Sequence, residues 1–252
     1  MTWQQIAQAS QGADVLVTIS RSPLSEAADA DTALLPLMLW LSPAFPVGSF
    51  AYSQALEWAV DSGDIQDARS LGGWLVDLLT FGAPRADSLL FADCFRSAVA
   101  EDWEALAAAN ELAVALANSA ERRLETISQG VAFVVAARAA WDCEPLRQLS
   151  LEERVAYPAA VASAAAGHGL PLEASLQAFI LAQIAAAVSA VVRLGPIGQT
   201  DGQKIQATLI PRIRALAREA SGSSLTDLGS CAFRSDIAAM RHETQYSRLF
   251  RS

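Results

Sequence analysis

Leu172-Glu173-Ala174-Ser175-Leu176-Gln177-Ala178-Phe179-Ile180-Leu181-Ala182-Gln183-Ile184-Ala185-Ala186-Ala187-Val188-Ser189-Ala190-Val191-Val192-Arg193-Leu194 is the stretch that decides the fold. It contains no glycine or proline, and Pro171 and Gly195 bracket it. A run of that length without a breaker predicts one helix, about 34 Å long at about 1.5 Å per residue. Its apolar part, Ala178 to Val192, contains Gln183 and Ser189. That part falls short of the ~20 apolar residues that a membrane span needs. A helix apolar on all sides has to be surrounded by others, so the stretch reads as the central helix of a bundle.

Outward from it, glycine and proline punctuate the chain at helical intervals, and almost no segment alternates apolar and polar residues with period two. The reading is all-α: a single-domain bundle of about ten helices around the long apolar one. Upstream, helices are expected at about Ala33–Leu41 (capped by Asp31 or Thr32), Phe50–Val60, Asp67–Phe81, Ala86–Val99, Asp102–Ala117, Ala120–Trp141 and Leu151–Ala166. Ser42-Pro43-Ala44-Phe45-Pro46-Val47-Gly48 breaks the first of them, because neither proline can donate a helical hydrogen bond. Pro84 lies just ahead of one helix, Ser119 precedes a charged first turn, and Ser150-Leu151-Glu152-Glu153 has the spacing of a capping box. Downstream, Thr200 or Asp201 caps a helix reaching about Glu219 with a kink or break at Pro211, and Leu225–Met240 completes the bundle. The divisions are a flexible segment 1–31, a helical domain 32–240 and a tail 241–252 that mixes charges with large apolar groups.

The chain has 252 residues. That is long enough to bury roughly three quarters of its unfolded surface. At 52% hydrophobic and 18% charged residues, the composition excludes whole-chain disorder. A net charge of −9 disfavours a nucleic-acid partner, since neutralising phosphates needs a basic face. Cys94, Cys143 and Cys231 are odd in number and form no C-x-x-C pair, so they read as core thiols in a reducing compartment. Without a basic stretch followed by an apolar one near Met1, the expected location is the cytoplasm.

The chemistry that is missing narrows the function. No G-x-x-x-x-G-K-[ST] loop cradles a nucleotide phosphate, so the chain itself is not expected to hydrolyse GTP or ATP. Two histidines cannot fill a multi-histidine metal centre, and no stably bound cofactor is expected. His168, between two glycines, reads as a turn residue. His242 reads equally as part of a solvated tail or as a partner contact. Asp61, Asp64 and Asp67 fit turn and cap chemistry, and Trp40, Trp58 and Trp74 read as core aromatics. A soluble all-α enzyme or a ligand-binding protein with an apolar pocket is the competing class. An isoprenoid-type enzyme would show a D-D-x-x-D run for Mg²⁺, which is absent.

Three segments carry side chains that turns alone do not require: Ser42 to Glu57, Arg193 to Gln203, and the run from Met240 to Ser252. In this order and at these distances they resemble the UreF family of urease accessory proteins. The first resembles that family's S-P-A-x-P-V-G-x-F-x-Y-S-x-x-L-E signature, with Ala55 where glycine is frequent. The second matches its L-G-Q-T-D-G-like loop as Ile197-Gly198-Gln199-Thr200-Asp201-Gly202, and the third its H-E-x-Q-Y-S-R-L-F-x-S terminus. The likeness runs from about Leu34 to Ser252.

The resemblance implies an all-α dimer that is not an enzyme and that joins UreD (also called UreH) and UreG on apo-urease to deliver nickel. GTP hydrolysis would belong to UreG, with this chain bridging and modulating its partners, and the metal has been proposed to travel through a water-filled passage in UreD and UreF. The residues it implicates in partner or dimer contacts are Pro46, Gly48, Phe50, Tyr52, Gln54 and Glu57, then Gly198, Gln199, Asp201 and Gly202. In the tail they are Arg241, His242, Glu243, Gln245, Tyr246, Arg248, Leu249, Phe250 and Arg251. Phe50 and Tyr52 suit a dimer interface, the 198–202 stretch is expected as a polar loop, and the tail is expected to be loosely held until UreD binds.

Overall fold

The computed structural model describes residues 34–150 and 154–251, and over these the chain is helical with no strand. The proposed 1–31 segment, the Asp31 or Thr32 cap and the Leu151 to Glu153 part of the capping box lie outside the described residues. The helices are α1 (Leu34–Trp40), α2 (Leu56–Asp61), α3 (Ala68–Phe81), α4 (Ala83–Val99), α5 (Trp103–Ala115) and α6 (Ala120–Ala140). They continue as α7 (Glu144–Gln148), α8 (Tyr157–Gly167), α9 (Leu172–Leu194), α10 (Gln199–Gly222) and α11 (Phe233–His242). Single 3₁₀ turns occupy Ser49–Ala51 and Leu225–Asp227.

Caps set most of the boundaries. The Asp67 side chain accepts from Ser70 N at 2.8 Å, and Asp67 N donates in return to Ser70 Oγ at 3.1 Å. This reciprocal pair closes a capping box on α3. Asp102 accepts from Ala105 N on α5 at 3.0 Å, and Ser119 from Arg122 N on α6 at 3.1 Å. Pro84, Pro145 and Pro158 each sit in a first turn, where the missing N–H costs nothing.

α9 has the bounds its sequence predicts and is the one described helix long and apolar enough to span a membrane, with a mean hydropathy of 1.9. One face, including Leu176, Phe179, Ile180, Ile184 and Val188, enters the core. The helix enclosed on every side is instead α8, whose residues from Pro158 to Ala165 are all buried. Small side chains let its neighbours approach closely. At Gly130 of α6 an added Cβ would stand 2.8 Å from Ala156 C and 2.9 Å from Tyr157 N at the entrance to α8.

Four local expectations change. The Phe50–Val60 helix is replaced by a 3₁₀ turn and then α2. Gln54 and Ala55 take left-handed φ values, 56 and 65 degrees, which no right-handed helix accommodates. The helix placed at Leu151–Ala166 begins at Tyr157, with residues 154–156 lying outside it ahead of Pro158. Pro211 neither ends nor divides α10, since the buried stripe of Ile205, Leu209, Ile213 and Leu216 binds both halves to the core. The Leu225–Met240 helix divides into a 3₁₀ turn and α11.

Candidate functional site

Gly48, with a left-handed φ, turns the chain after Pro46, and the left-handed pair Gln54-Ala55 turns it again into α2. The second turn gives a physical reason for glycine at position 55, where a Cβ is strained. Tyr52 and Ser53 are buried between the turns, while Phe50 is exposed. Phe50 therefore remains available to a partner. Tyr52 does not: its ring is part of the bundle wall and cannot supply an interface in this conformation.

Glu57, in the first turn of α2, holds the C-terminal tail. Its Oε1 accepts from Leu249 N at 2.6 Å and its Oε2 from Phe250 N at 3.0 Å. His242 Nε2 lies 3.3 Å from Glu57 Oε2, and His242 Nδ1 lies 2.6 Å from Glu121 Oε2. Glu121 also accepts from Arg248 Nη1 at 2.6 Å. Both ring nitrogens thus face carboxylates. His242 is fully buried, which removes the solvated-tail reading.

Three more ties complete the latch. Arg251 N donates to Ala51 O at 2.8 Å. Arg193 Nη1 donates to Phe50 O at 2.8 Å, with its guanidinium carbon 4.4 Å from the centre of the Phe250 ring. Glu243 accepts from Ala120 N at 2.8 Å at the start of α6, where the helix dipole favours an anion. The tail is therefore fastened to its own bundle rather than loosely held. Tyr246 and Phe250 do not share a buried face: Phe250 is buried, whereas Tyr246, Leu249, Arg241, Arg248 and Arg251 are exposed. Gln245 keeps a buried Oε1 with no hydrogen-bond partner among the described residues.

The 198–202 stretch is not a loop. Gln199 begins α10, Gly198 precedes it without a side-chain cap, and Asp201 pairs with Lys204 at 3.2 Å instead of capping. Gly202 is needed for packing, because a Cβ there would come 2.9 Å from Val188 Cγ1 of α9. Of the second segment, it is Arg193 that reaches the other two.

Behind the latch lies a polar row, buried at Glu125 and Gln129 and half-buried at Gln54, Asp87 and Arg122, that the sequence reading missed. Arg122 of α6 pairs with Asp87 of α4 at 2.8 Å and with Glu125 at 3.0 Å. Gln129 Nε2 donates to Glu125 Oε1 at 3.1 Å, and Gln54 Nε2 reaches the same oxygen at 3.4 Å. Burial pushes the Asp87 carboxyl above its ordinary range, an effect that Arg122 opposes and the Glu125 charge reinforces. Although burial works against its charge, Glu125 and Asp87 hold the Arg122 guanidinium above its ordinary range. The signal was present in the sequence: Glu125 and Gln129 continue the buried stripe of Phe133 and Ala137 at four-residue spacing.

The lesser readings divide. Asp67 and Asp64 do make cap and ion-pair contacts, Asp64 to Arg234 at 2.8 Å. His168 ends α8 with Nε2 2.9 Å from Trp141 O. Trp40 and Trp74 are core residues, and Trp58 packs against the core half-buried. Cys94 and Cys143 are buried, but Cys231 is exposed and is no core thiol, because the segment before α11 lies on the surface.

The family model for UreF matches residues 65–210. The chain belongs to the UreF family of urease accessory proteins. A urease accessory protein UreF of Xanthobacter autotrophicus is 55% identical over 227 residues, which cover 89% of this chain and 93% of the relative. The protein of that name from Rhodopseudomonas palustris strain TIE-1 is 48% identical over 89% of this chain and 95% of its own length. The one from Azorhizobium caulinodans is 50% identical over 88% of this chain and 97% of its own length. The UreF-like first and third motifs are thus the two ends of one latch, separated by most of the chain and joined through Glu57.

Proposed function

We propose that this chain is a non-enzymatic cytoplasmic scaffold that bridges UreD/UreH and the GTPase UreG and modulates UreG during nickel insertion into apo-urease. The observation that carries the reading is an apolar face beside the latch that the described residues leave exposed. On α11, Phe233, Ile237 and Met240 are 70%, 55% and 56% exposed at helical spacing, while Ala238 and His242 of the same helix are buried. The tail that follows adds exposed Tyr246 and Leu249 and the arginines 241, 248 and 251. Large apolar anchors with arginines are the composition of a docking surface. Homodimerisation fits a different place, α1, where Leu35, Met38 and Leu39 are exposed on one short helix near the first motif.

Passage of nickel as cargo is supported by cavities around the polar row, the largest about 160 Å³. The test is co-purification with UreD/UreH and UreG. Ile237→Glu and Tyr246→Ala should leave melting unchanged and abolish the complex, and normal assembly by both variants would overturn the docking reading.

A further inference from the structure

α3 and α10 pack side by side, and a groove of about 840 Å³ runs between them. Gly72 and Gly73, in the interior of α3, form part of its lining. Two adjacent glycines weaken a helix interior relative to alanine. Nothing inside the bundle requires them: neither has a positive φ, and a Cβ built on either meets nothing within 4 Å. At Gly130 and Gly202, by contrast, an added Cβ runs into a neighbouring element. A glycine that its own fold does not need leaves the backbone open to close approach from outside.

Trp74 supplies a second, independent sign. It lines the same groove and is 4% exposed, and its Nε1 is buried with no hydrogen-bond partner among the described residues. An indole N–H only donates, so the missing partner is an acceptor. The Arg234 guanidinium carbon lies over the ring at 5.2 Å, and its ion pair is to Asp64 at 2.8 Å with both side chains exposed. Such a pair contributes little, so a better-placed anion displaces Arg234 from the ring.

The charge of the groove selects the acceptor. Of its carboxylates, Asp64 is paired with Arg234, Asp201 is paired with Lys204, and Asp67 caps α3, which leaves Asp77. Arg69 and Arg212 line the groove and have no ion pair among the described residues. On α10, Lys204, Arg212, Arg214 and Arg218 are exposed with no acid between Asp201 and Glu219, in a chain of net charge −9. An anionic partner is therefore drawn to this side of the molecule.

We propose that the groove between α3 and α10 docks an acidic helix of a partner protein. Its backbone settles on Gly72 and Gly73, its carboxylates pair with Arg69 and Arg212, and one of them accepts from Trp74 Nε1. A third helix laid along two packed ones is the helix-in-groove mode of recognition, and the missing Cβ atoms let it come close. No part of this depends on nickel delivery.

The test uses the full chain with a synthetic helical peptide of alanine, leucine and glutamate, and a control peptide with lysine in place of glutamate. The Trp74 indole N–H resonance, assigned by its absence in Trp74→Phe, reads occupancy. The glutamate peptide should shift this signal and the lysine peptide should not. Arg69→Glu/Arg212→Glu should weaken binding about tenfold or more. Gly72→Ala/Gly73→Ala separates docking from folding, because its two readouts move in opposite directions. The chain alone should melt about 3–8 °C higher, while its affinity for the glutamate peptide falls about tenfold or more. A double-alanine variant that melts lower shows that the bundle itself needs these glycines and overturns the inference. So does unchanged affinity in either double variant, an unshifted Trp74 signal, or an equal response to the two peptides. A dimer of the chain alone that Gly72→Ala/Gly73→Ala dissolves would make the groove a contact between copies. Binding to phosphatidylserine vesicles but not to the peptide, lost in Arg69→Glu/Arg212→Glu, would make it a membrane contact. Either result overturns the acidic helix as occupant.

Discussion

Glu57→Gln isolates the latch, because it preserves size and removes one acceptor. In the native protein the two carboxylate oxygens receive Leu249 N, Phe250 N and His242 Nε2 at 2.6 Å, 3.0 Å and 3.3 Å. An amide has one acceptor oxygen and one NH₂. In its better orientation the oxygen keeps Phe250 N and His242, and the NH₂ is set against Leu249 N, donor facing donor. A hydrogen bond to a buried charged group contributes about 1.5–3 kcal/mol, and leaving its partner unsatisfied adds to the loss. The latch should therefore open about 2–4 kcal/mol more easily, while the core contacts of α4, α8 and α9 are untouched. Hydrogen exchange reads this directly: protection of the Leu249 and Phe250 amides should fall about thirtyfold to several hundredfold, with core amides unchanged. Glu57→Asp, which keeps the charge but shortens the reach, should fall between. Unaltered protection at both amides in Glu57→Gln would refute the assignment of Glu57 as the fastening point.

Other outcomes can be checked with simpler measurements. Gly130→Ala forces a Cβ against the backbone of residues 155–157, whereas Gly202→Ala meets a valine methyl at 2.9 Å that has some room to shift. The first should cost about 3 kcal/mol or more and the second about 1 kcal/mol, and the reverse order in chemical denaturation would contradict the packing. Asp87 has a folded pKa raised above 3.8, so the native state binds its proton more tightly than the unfolded chain, and this stabilisation is lost as pH rises from 3.8 through the raised value. The stability of wild type relative to Asp87→Asn should accordingly decline with increasing pH in that window, and a flat difference would refute it. Burial raises the Cys94 and Cys143 thiols above their ordinary range, whereas Cys231 stands in the open, so native-state alkylation should modify Cys231 alone. Equal labelling at Cys94 would show that the core opens.

Periodicity by itself determined what depends on near neighbours in the chain. The ends of α9 follow from the absence of breakers between Pro171 and Gly195, and the starts of α3, α5 and α6 follow from Asp67, Asp102 and Ser119, whose caps close within three residues. The family was legible for the same reason, since its motifs are local strings of side chains. Tertiary structure decided whatever depends on residues distant in sequence. Ala55 favours helix intrinsically, yet the turn that directs Glu57 toward the tail holds it in the left-handed region. Gly202 looks like a loop glycine until α9 packs within reach of its missing Cβ. His242 could not be placed from its neighbours, because the carboxylates that face it are 121 and 185 residues away. Whether a polar side chain is solvated or serves as an internal fastener depends on which buried groups need a partner, and folding brings those groups together from distant parts of the chain.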